Sequence, residues 1–144
     1  MPEIKSIVRE EVVSASTDTT LTDLAQQMSE AEVGSVVILE DDHPQGIVTD
    51  RDIAIEAVAE GEDPASVTAE DVMSEDLATV EADTGIFDVL RTMEEEHVRR
   101  VPAVDSDGNL AGIVTFDDFV VLLGREFKLL SDIVEAEIPP YEHA

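Results

Sequence analysis

Two threonine–aspartate pairs carry the side chains in this chain that could bind a small molecule. Thr49 precedes Asp52 by three residues, and Thr115 precedes Asp118 with the same spacing 66 residues later. An ionised carboxylate accepts hydrogen bonds from the hydroxyls of a cis-diol. A threonine at the start of a helix lies beside free backbone N–H groups, which attract phosphate. Each pair therefore has the chemistry to hold a sugar diol or a phosphate.

The same spacing also has an explanation that needs no ligand. Thr-x-x-Asp is a capping box, in which side chains satisfy the backbone N–H groups that open a helix. Capping does not explain why a glycine and a β-branched strand precede each pair, as Gly46 and Gly112 begin the segments 46–49 and 112–115. Capping therefore accounts for part of both copies, and ligand binding stays open beside it.

Three arginines are candidates for binding phosphate. The chain has eight basic residues against 35 acidic ones, and its six arginines include Arg51, Arg99 and Arg100. Arg51 lies inside the first Thr-x-x-Asp pair, and the other two directly precede an apolar strand. Arginine suits phosphate because its planar guanidinium donates two parallel hydrogen bonds. Arg99 and Arg100 could instead be surface partners of the acidic run 94–96, since exposed ion pairs are common.

The net charge of −27 is spread through the whole chain. An excess of this size repels itself in dilute salt, whereas at 1 M salt the Debye length falls to about 3 Å. We therefore expect a protein adapted to molar salt, as in halophilic archaea, and the alternative is an ordinary acidic cytosolic protein. The same charge argues against nucleic-acid binding, which needs a basic surface.

The chain has no cysteine, so disulfides and thiol chemistry are excluded. Its N-terminal residues lack the apolar run of a signal peptide, and no stretch approaches about 18 consecutive apolar residues. We therefore expect a cytoplasmic protein that does not associate with membranes.

The two pairs close two copies of one supersecondary unit. Segment 17–21 lies 65 residues before segment 82–86, Met28 matches Met93, and Val33 matches Val98. Each copy reads β-α-β-β-α, which predicts the α+β class. One copy has too little core to fold alone. We expect the lead-in residues Ile4, Ile7 and Val8 to cover the first copy.

A glycine, two apolar residues and Thr-x-x-Asp closing a β-α-β-β-α unit, twice in tandem, resemble a pair of CBS domains (a Bateman module). Segments 71–73, 83–84 and 98–104 add to the resemblance, which covers about residues 8 to 124. It implies two CBS repeats related by a pseudo-twofold axis and packed through their sheets. The expected divisions are a first repeat with its lead-in, a linker, a second repeat, and a C-terminal helical extension and tail: 1–61, 62–70, 71–124 and 125–144.

The resemblance implies that adenosine-containing ligands bind in the clefts between the repeats. Asp52 and Asp118 match the position that accepts hydrogen bonds from the ribose hydroxyls. Thr49 and Thr115 match the position that contacts ribose or phosphate. AMP, ADP, ATP and S-adenosylmethionine are the expected ligands, and no cofactor is required.

The resemblance also gives the three arginines a role. Arg51, Arg99 and Arg100 match positions where family members often place phosphate-binding residues. The second copy departs from this pattern with Asp117 in place of Arg51, and the first copy has segment 34–35 in place of Arg99 and Arg100. The resemblance therefore makes the second copy the poorer phosphate site.

We expect a regulatory module that senses a nucleotide or metabolite and acts on an unknown protein target. The alternative is an interaction or scaffold module of the same fold with empty clefts. An enzyme is the weakest hypothesis, because no nucleophile–base pair, P-loop or metal motif is present. Family members often pair into flat dimers, and apolar helix positions offer surface for a homodimer: Leu122, Leu123, Phe127 and Leu130.

Overall fold

The computed structural model describes residues 4–74 and 76–137, and it has two copies of one unit, each with a three-stranded sheet. The strands of the first are β1 Ser14–Ser16, β2 Ser35–Glu40 and β3 His43–Thr49. Those of the second are β4 Val80–Glu81, β5 Arg100–Val104 and β6 Leu110–Thr115. The helices are α1 Leu21–Ala31, α2 Asp50–Ile53, α3 Ala69–Val72, α4 Ile86–Glu95 and α5 Phe116–Glu137. The predicted α+β fold of two repeats is confirmed.

Both sheets have the same topology. The first strand of each pairs in parallel with the second, which pairs antiparallel with the third. In the hairpins, Ser35 lies opposite Thr49, and Arg100 lies opposite Thr115. The end of each hairpin therefore places the threonine of a Thr-x-x-Asp pair beside the residue that begins the middle strand.

Each repeat has its own apolar core, because one face of each long helix packs against one face of its sheet. Leu21, Leu24 and Met28 on α1 are buried in the first core. Val89 and Met93 on α4 occupy the second. The helix moieties of both repeats thus cover their sheets as the repeated apolar spacing predicts.

The segment preceding each repeat packs on the core of the other repeat. Ile4 is fully buried in the second core, and its N–H donates to the Thr84 carbonyl oxygen at 3.1 Å. Ala69 is equally buried in the first core, with its N–H 2.8 Å from the Thr19 carbonyl oxygen. These two contacts are equivalent at an offset of 65 residues. The prediction that Ile4 and its neighbours cover the first repeat is therefore wrong.

The two glycines at the start of the repeated motif allow these segments to cross β3 and β6. A Cβ atom on Gly46 would lie 2.8 Å from the Met73 Cβ. A Cβ atom on Gly112 would lie 2.7 Å from the Arg9 carbonyl oxygen and would also overlap Val8. Both positions need glycine because a neighbouring segment approaches their backbone closely.

The closing helices of the two repeats differ in length. The predicted helix from Asp50 to about residue 60 is a four-residue α-helix continued by a π-helical turn, Ala54–Val58. In contrast, α5 runs on for 22 residues. Leu122 on α5 packs against the second core, so its predicted place on a free surface is wrong. The predicted helix stop at 139–140 lies outside the described residues.

None of the helices within residues 4–74 and 76–137 combines the length and apolar content that crossing a membrane requires.

Candidate functional site

Both Thr-x-x-Asp pairs form the predicted capping boxes. The Asp52 Oδ2 accepts from the Thr49 backbone N–H at 2.8 Å, and Thr49 Oγ1 accepts from the Asp52 N–H at 3.1 Å. The corresponding distances between Thr115 and Asp118 are 3.0 and 3.4 Å. Capping uses one oxygen of each carboxylate, so the other oxygen decides what each aspartate can bind.

The second oxygen differs between the two repeats. Within the part of the chain that the structure describes, Asp52 Oδ1 has no hydrogen-bond partner. Asp118 Oδ1 accepts from Arg9 Nη2 at 2.8 Å and from Arg9 Nε at 3.1 Å. The first aspartate therefore keeps an acceptor for a ligand hydroxyl, whereas the second already binds the N-terminal segment of its own chain.

Backbone pairing holds Arg9 in this place. The Arg9 N–H donates to the Ile113 carbonyl oxygen at 3.0 Å, and the Ile113 N–H donates to the Arg9 carbonyl oxygen at 3.1 Å. The side chain of Arg9 is 65% exposed, while that of Asp118 is only 11% exposed. Burial acts to raise the pKa of the Asp118 carboxyl, but hydrogen bonds from Arg9 and Thr115 together outweigh it, and the pKa is lowered. Asp118 is therefore ionised and engaged at neutral pH.

The first cleft lies between the repeats and joins Thr49 to both predicted phosphate-binding arginines of the second repeat. It encloses about 230 Å³. Ile47 and Thr49 line it from β3, and Arg99 and Arg100 line it from the start of β5. Its remaining wall comes from the segment leading into β4 and from Val98: Ser74, Asp76, Leu77, Ala78 and Val98. The cleft thus combines an apolar wall with two cations.

The second cleft is the pseudo-symmetric counterpart, with a similar volume of about 240 Å³. Ile113 and Thr115 take the places of Ile47 and Thr49, and segment 33–35 takes the place of segment 98–100. Its charged lining has two bases and three acids: Arg9, Arg100, Glu11, Glu32 and Asp117. The second cleft is therefore more acidic than the first, whose charged lining is Arg99, Arg100 and Asp76.

The three arginines occupy different environments. Arg51 is exposed on α2 and does not line either cleft. Arg99 is 73% exposed, lies 3.4 Å from Asp117, and places its guanidinium 5.2 Å from the centre of the Phe116 ring. Arg100 is half-buried and lines both clefts. Arg100 is thus held at the boundary of both sites, while Arg99 has to leave its contacts to meet a ligand.

Sequence reasoning missed two residues of these clefts. Arg9 and Ser74 are equivalent at the offset of 65 residues that relates the lead-in segments, and each follows a segment that crosses a motif glycine. Extending the repeat backwards to the lead-in segments would have paired them. The substitution of serine for arginine at this position leaves the first cleft without the ion pair that engages the second aspartate.

Within residues 4–74 and 76–137, no group of three or more histidine, cysteine, aspartate or glutamate side chains is placed to hold a metal ion.

A family model decides the relationship that the repeated clefts indicate. The model of the CBS domain matches residues 4–58 and, a second time, residues 69–125. The chain belongs to the CBS domain family. Both matches of this CBS pair begin with the lead-in segment that crosses to the other repeat, at Ile4 and Ala69.

This CBS pair has relatives of similar and of greater length. It is 39% identical over 119 residues to Hypoxic response protein 1 of Mycobacterium tuberculosis, with 82% of each chain covered. A crystal structure of that protein with two coordinated zinc ions has a TM-score of 0.75 at 37% identity and covers 83% of this chain and 97% of the other. Protein MK0525 of Methanopyrus kandleri is 39% identical over 118 residues. That match covers 81% of this chain and spans 60% of the length of MK0525.

A solved structure with bound ligands has the same fold. The CBS domain pair of protein MJ0100, in complex with 5′-methylthioadenosine and S-adenosyl-L-methionine, has a TM-score of 0.76. The identity is 24%, and the match covers 85% of this chain and 99% of the other. At this identity the likeness shows a shared architecture.

Proposed function

We propose that this CBS pair is a non-catalytic regulatory module that binds an adenosine-containing ligand in its first cleft. The observation that carries the proposal is the free Oδ1 of Asp52 on the repeat that faces Arg99 and Arg100 across the cleft. The carboxylate is placed to accept from ribose hydroxyls, and Thr49 to contact the ribose or a phosphate. The apolar wall of Ile47 and its neighbours provides a surface for a base.

The charges of the first cleft favour a phosphorylated ligand. Two arginines and one aspartate line it, and guanidinium groups form charge-assisted hydrogen bonds with phosphate. AMP, ADP and ATP therefore fit it better than S-adenosylmethionine, which carries a positive charge on sulfur. Arg51 remains a proposed contact only for a phosphate that extends out of the cleft, because the residue lies outside its lining.

The fold relationship supports the ligand class. The MJ0100 pair binds two adenosine compounds, 5′-methylthioadenosine and S-adenosyl-L-methionine. Neither compound has a phosphate, so the preference for phosphate rests on the arginines of this chain alone.

Thermal unfolding in about 2–3 M KCl, where the Debye length is below about 3 Å, tests ligand binding. AMP, ADP, ATP, S-adenosylmethionine and adenosine would be added singly. A ligand that binds only the folded state at 100 times its dissociation constant stabilises it by about 2.7 kcal/mol. We expect a shift with the phosphorylated compounds. No shift with any compound would refute the proposal and favour the scaffold function with empty clefts.

Asp52→Ala assigns the shift to the first cleft, and Asp71→Ala is its matched control. Asp71 Oδ2 accepts from the Thr68 backbone N–H at 2.9 Å, and this hydrogen bond lowers the pKa of Asp71. Both variants therefore lose a capping-box carboxylate, but Asp71 does not line either cleft. We expect only Asp52→Ala to abolish the ligand-induced shift. A normal shift in that variant would contradict the assignment of Asp52.

Two further parts of the proposal concern the surroundings of the module. Its net charge of −27 suits a solution of high salt, as in a halophilic archaeon. Its regulatory output passes through a homodimer to a separate protein target. The surface that forms the homodimer is argued next, and the salt dependence is tested in the Discussion.

A further inference from the structure

Helix α5 extends beyond the CBS pair. The family match ends at residue 125, whereas the helix continues to Glu137. Every residue from Leu123 to Glu137 is exposed. This part of α5 therefore contributes no buried side chain to either repeat, and its apolar residues need another reason.

The exposed apolar residues of α5 follow a heptad spacing. They alternate four and three residues apart over almost the whole helix, an average of 3.5, and we call them the α5 seam: Phe116, Val120, Leu123, Phe127, Leu130 and Val134. Their exposed fractions lie between 43% and 68%. A helix that only packs on a core follows the 3.6-residue period, whereas a sustained 3.5-residue period is the pattern of two helices that wind around each other. The α5 seam is therefore shaped for a second helix.

The charge around the α5 seam permits a second copy of this chain to approach. Segment 119–134 contains two acids and two bases, so its net charge is zero in a chain of net charge −27. Lys128 and Asp132 pair with each other at 2.8 Å. With heptad spacing both lie away from the line of the α5 seam. The contact between two copies would thus bury a neutral stripe and keep the acidic surfaces of the repeats apart.

The area of the α5 seam is sufficient for a dimer. About half of each of the six side chains is exposed. This corresponds to roughly 600 Å² per copy and roughly 1,200 Å² for the pair, which reaches the range of specific interfaces.

We propose that the α5 seam is the interface between two copies of this chain, which pair through a two-helix coiled coil that continues past the CBS fold. This assembly places the extension, rather than the body of the repeats, at the contact. The proposal does not depend on which ligand the clefts bind. Failure of the ligand experiment and failure of the dimer experiment are therefore distinguishable.

Leu130→Glu tests the α5 seam, and Leu129→Glu is its matched control. The two residues are adjacent, are both leucine, and are both 58% exposed. Leu130 lies on the α5 seam, whereas Leu129 lies about one third of a turn away from it. Molecular mass would be measured by light scattering in about 2–3 M KCl, which screens the acidic surface.

We expect twice the monomer mass for the wild type and for Leu129→Glu, and the monomer mass for Leu130→Glu. A monomeric wild type, or the same mass for both variants, would overturn the proposal. Circular dichroism checks that each variant is folded. Val134→Glu, at the other end of the α5 seam, provides a second disrupting variant if Leu130→Glu fails to fold, and a dimer of that variant would equally overturn the proposal.

Discussion

Arg9→Ala should open the second cleft to a neutral adenosine compound. In the structure, the Arg9 guanidinium occupies Asp118 Oδ1, the oxygen that corresponds to the free acceptor of Asp52. A ribose can bond to this oxygen only after the guanidinium leaves. The variant is best made in an Asp52→Ala background, where binding in the first cleft is lost and any remaining binding reports the second.

The size of the effect follows from the exposure of the ion pair. The side chain of Arg9 is 65% exposed, so solvent screens the pair although Asp118 is largely buried. Exposed ion pairs contribute about 0.5–1 kcal/mol. Removing this competition should strengthen adenosine binding about two- to fivefold, since about 1.4 kcal/mol corresponds to a factor of ten. The remaining acids of the cleft should keep ATP from benefiting.

Isothermal titration calorimetry with adenosine in about 2–3 M KCl measures this change. Arg91→Ala in the same background is the control, because it removes one positive charge from an exposed pair with Asp88 outside both clefts. We expect tighter binding only with Arg9→Ala. If that variant binds adenosine no better than the Asp52→Ala parent, or if Arg91→Ala gains equally, the competition between Arg9 and ribose is refuted.

The same variant has a signature in the pH dependence of stability. The folded pKa of Asp118 is lowered below its unfolded value of about 3.9. The ionised carboxylate therefore stabilises the fold above that value, and this stability is lost as the pH falls through 3.9 and then through the folded pKa. Arg9→Ala should reduce this loss, which denaturant unfolding at neutral and acidic pH measures; an unchanged loss would show that Arg9 does not lower the pKa.

Two remaining predictions concern stability. Gly112→Ala should destabilise the fold by about 1–3 kcal/mol, because the new Cβ would push Arg9 from β6 and break two backbone hydrogen bonds with Ile113. Gly124→Ala, in open space within α5, should instead stabilise it by about 0.5–1 kcal/mol, and a Gly112→Ala variant as stable as the wild type in denaturant unfolding would contradict the close approach. The free energy of unfolding should rise between about 0.1 and 2 M KCl as the Debye length falls from about 10 Å to below 3 Å. A flat or falling salt dependence in the same assay would contradict adaptation to molar salt.

The fold could be predicted from the sequence because its signals are local and occur twice. The 3.6-residue apolar spacing of α1 and α4, the turn after β2, and the glycine and Thr-x-x-Asp pairs each lie within a few consecutive residues. Repetition at a constant offset then showed that they form one unit. The capping boxes were predicted for the same reason, since three residues separate the partners.

The division of roles between the clefts could not be predicted in the same way. The sequence placed Arg99 and Arg100 beside the second Thr-x-x-Asp pair, where β5 and β6 make them neighbours of Thr115. The structure also brings them into the first cleft with Thr49. This arrangement depends on the packing of one repeat against the other, which no local pattern encodes.

The sequence by itself determined the elements, their order, the two capping boxes and the acidic surface. Only the tertiary structure decided that the lead-in segments cross to the opposite repeats and that Arg9 reaches Asp118, a residue 109 positions away. The physical reason is that a capping box is closed by the backbone of one turn, whereas the Arg9 contact requires the packing of Ile4, the pairing with β6 and the absence of a side chain at Gly112. These contacts join parts of the chain that become neighbours only when both repeats are folded.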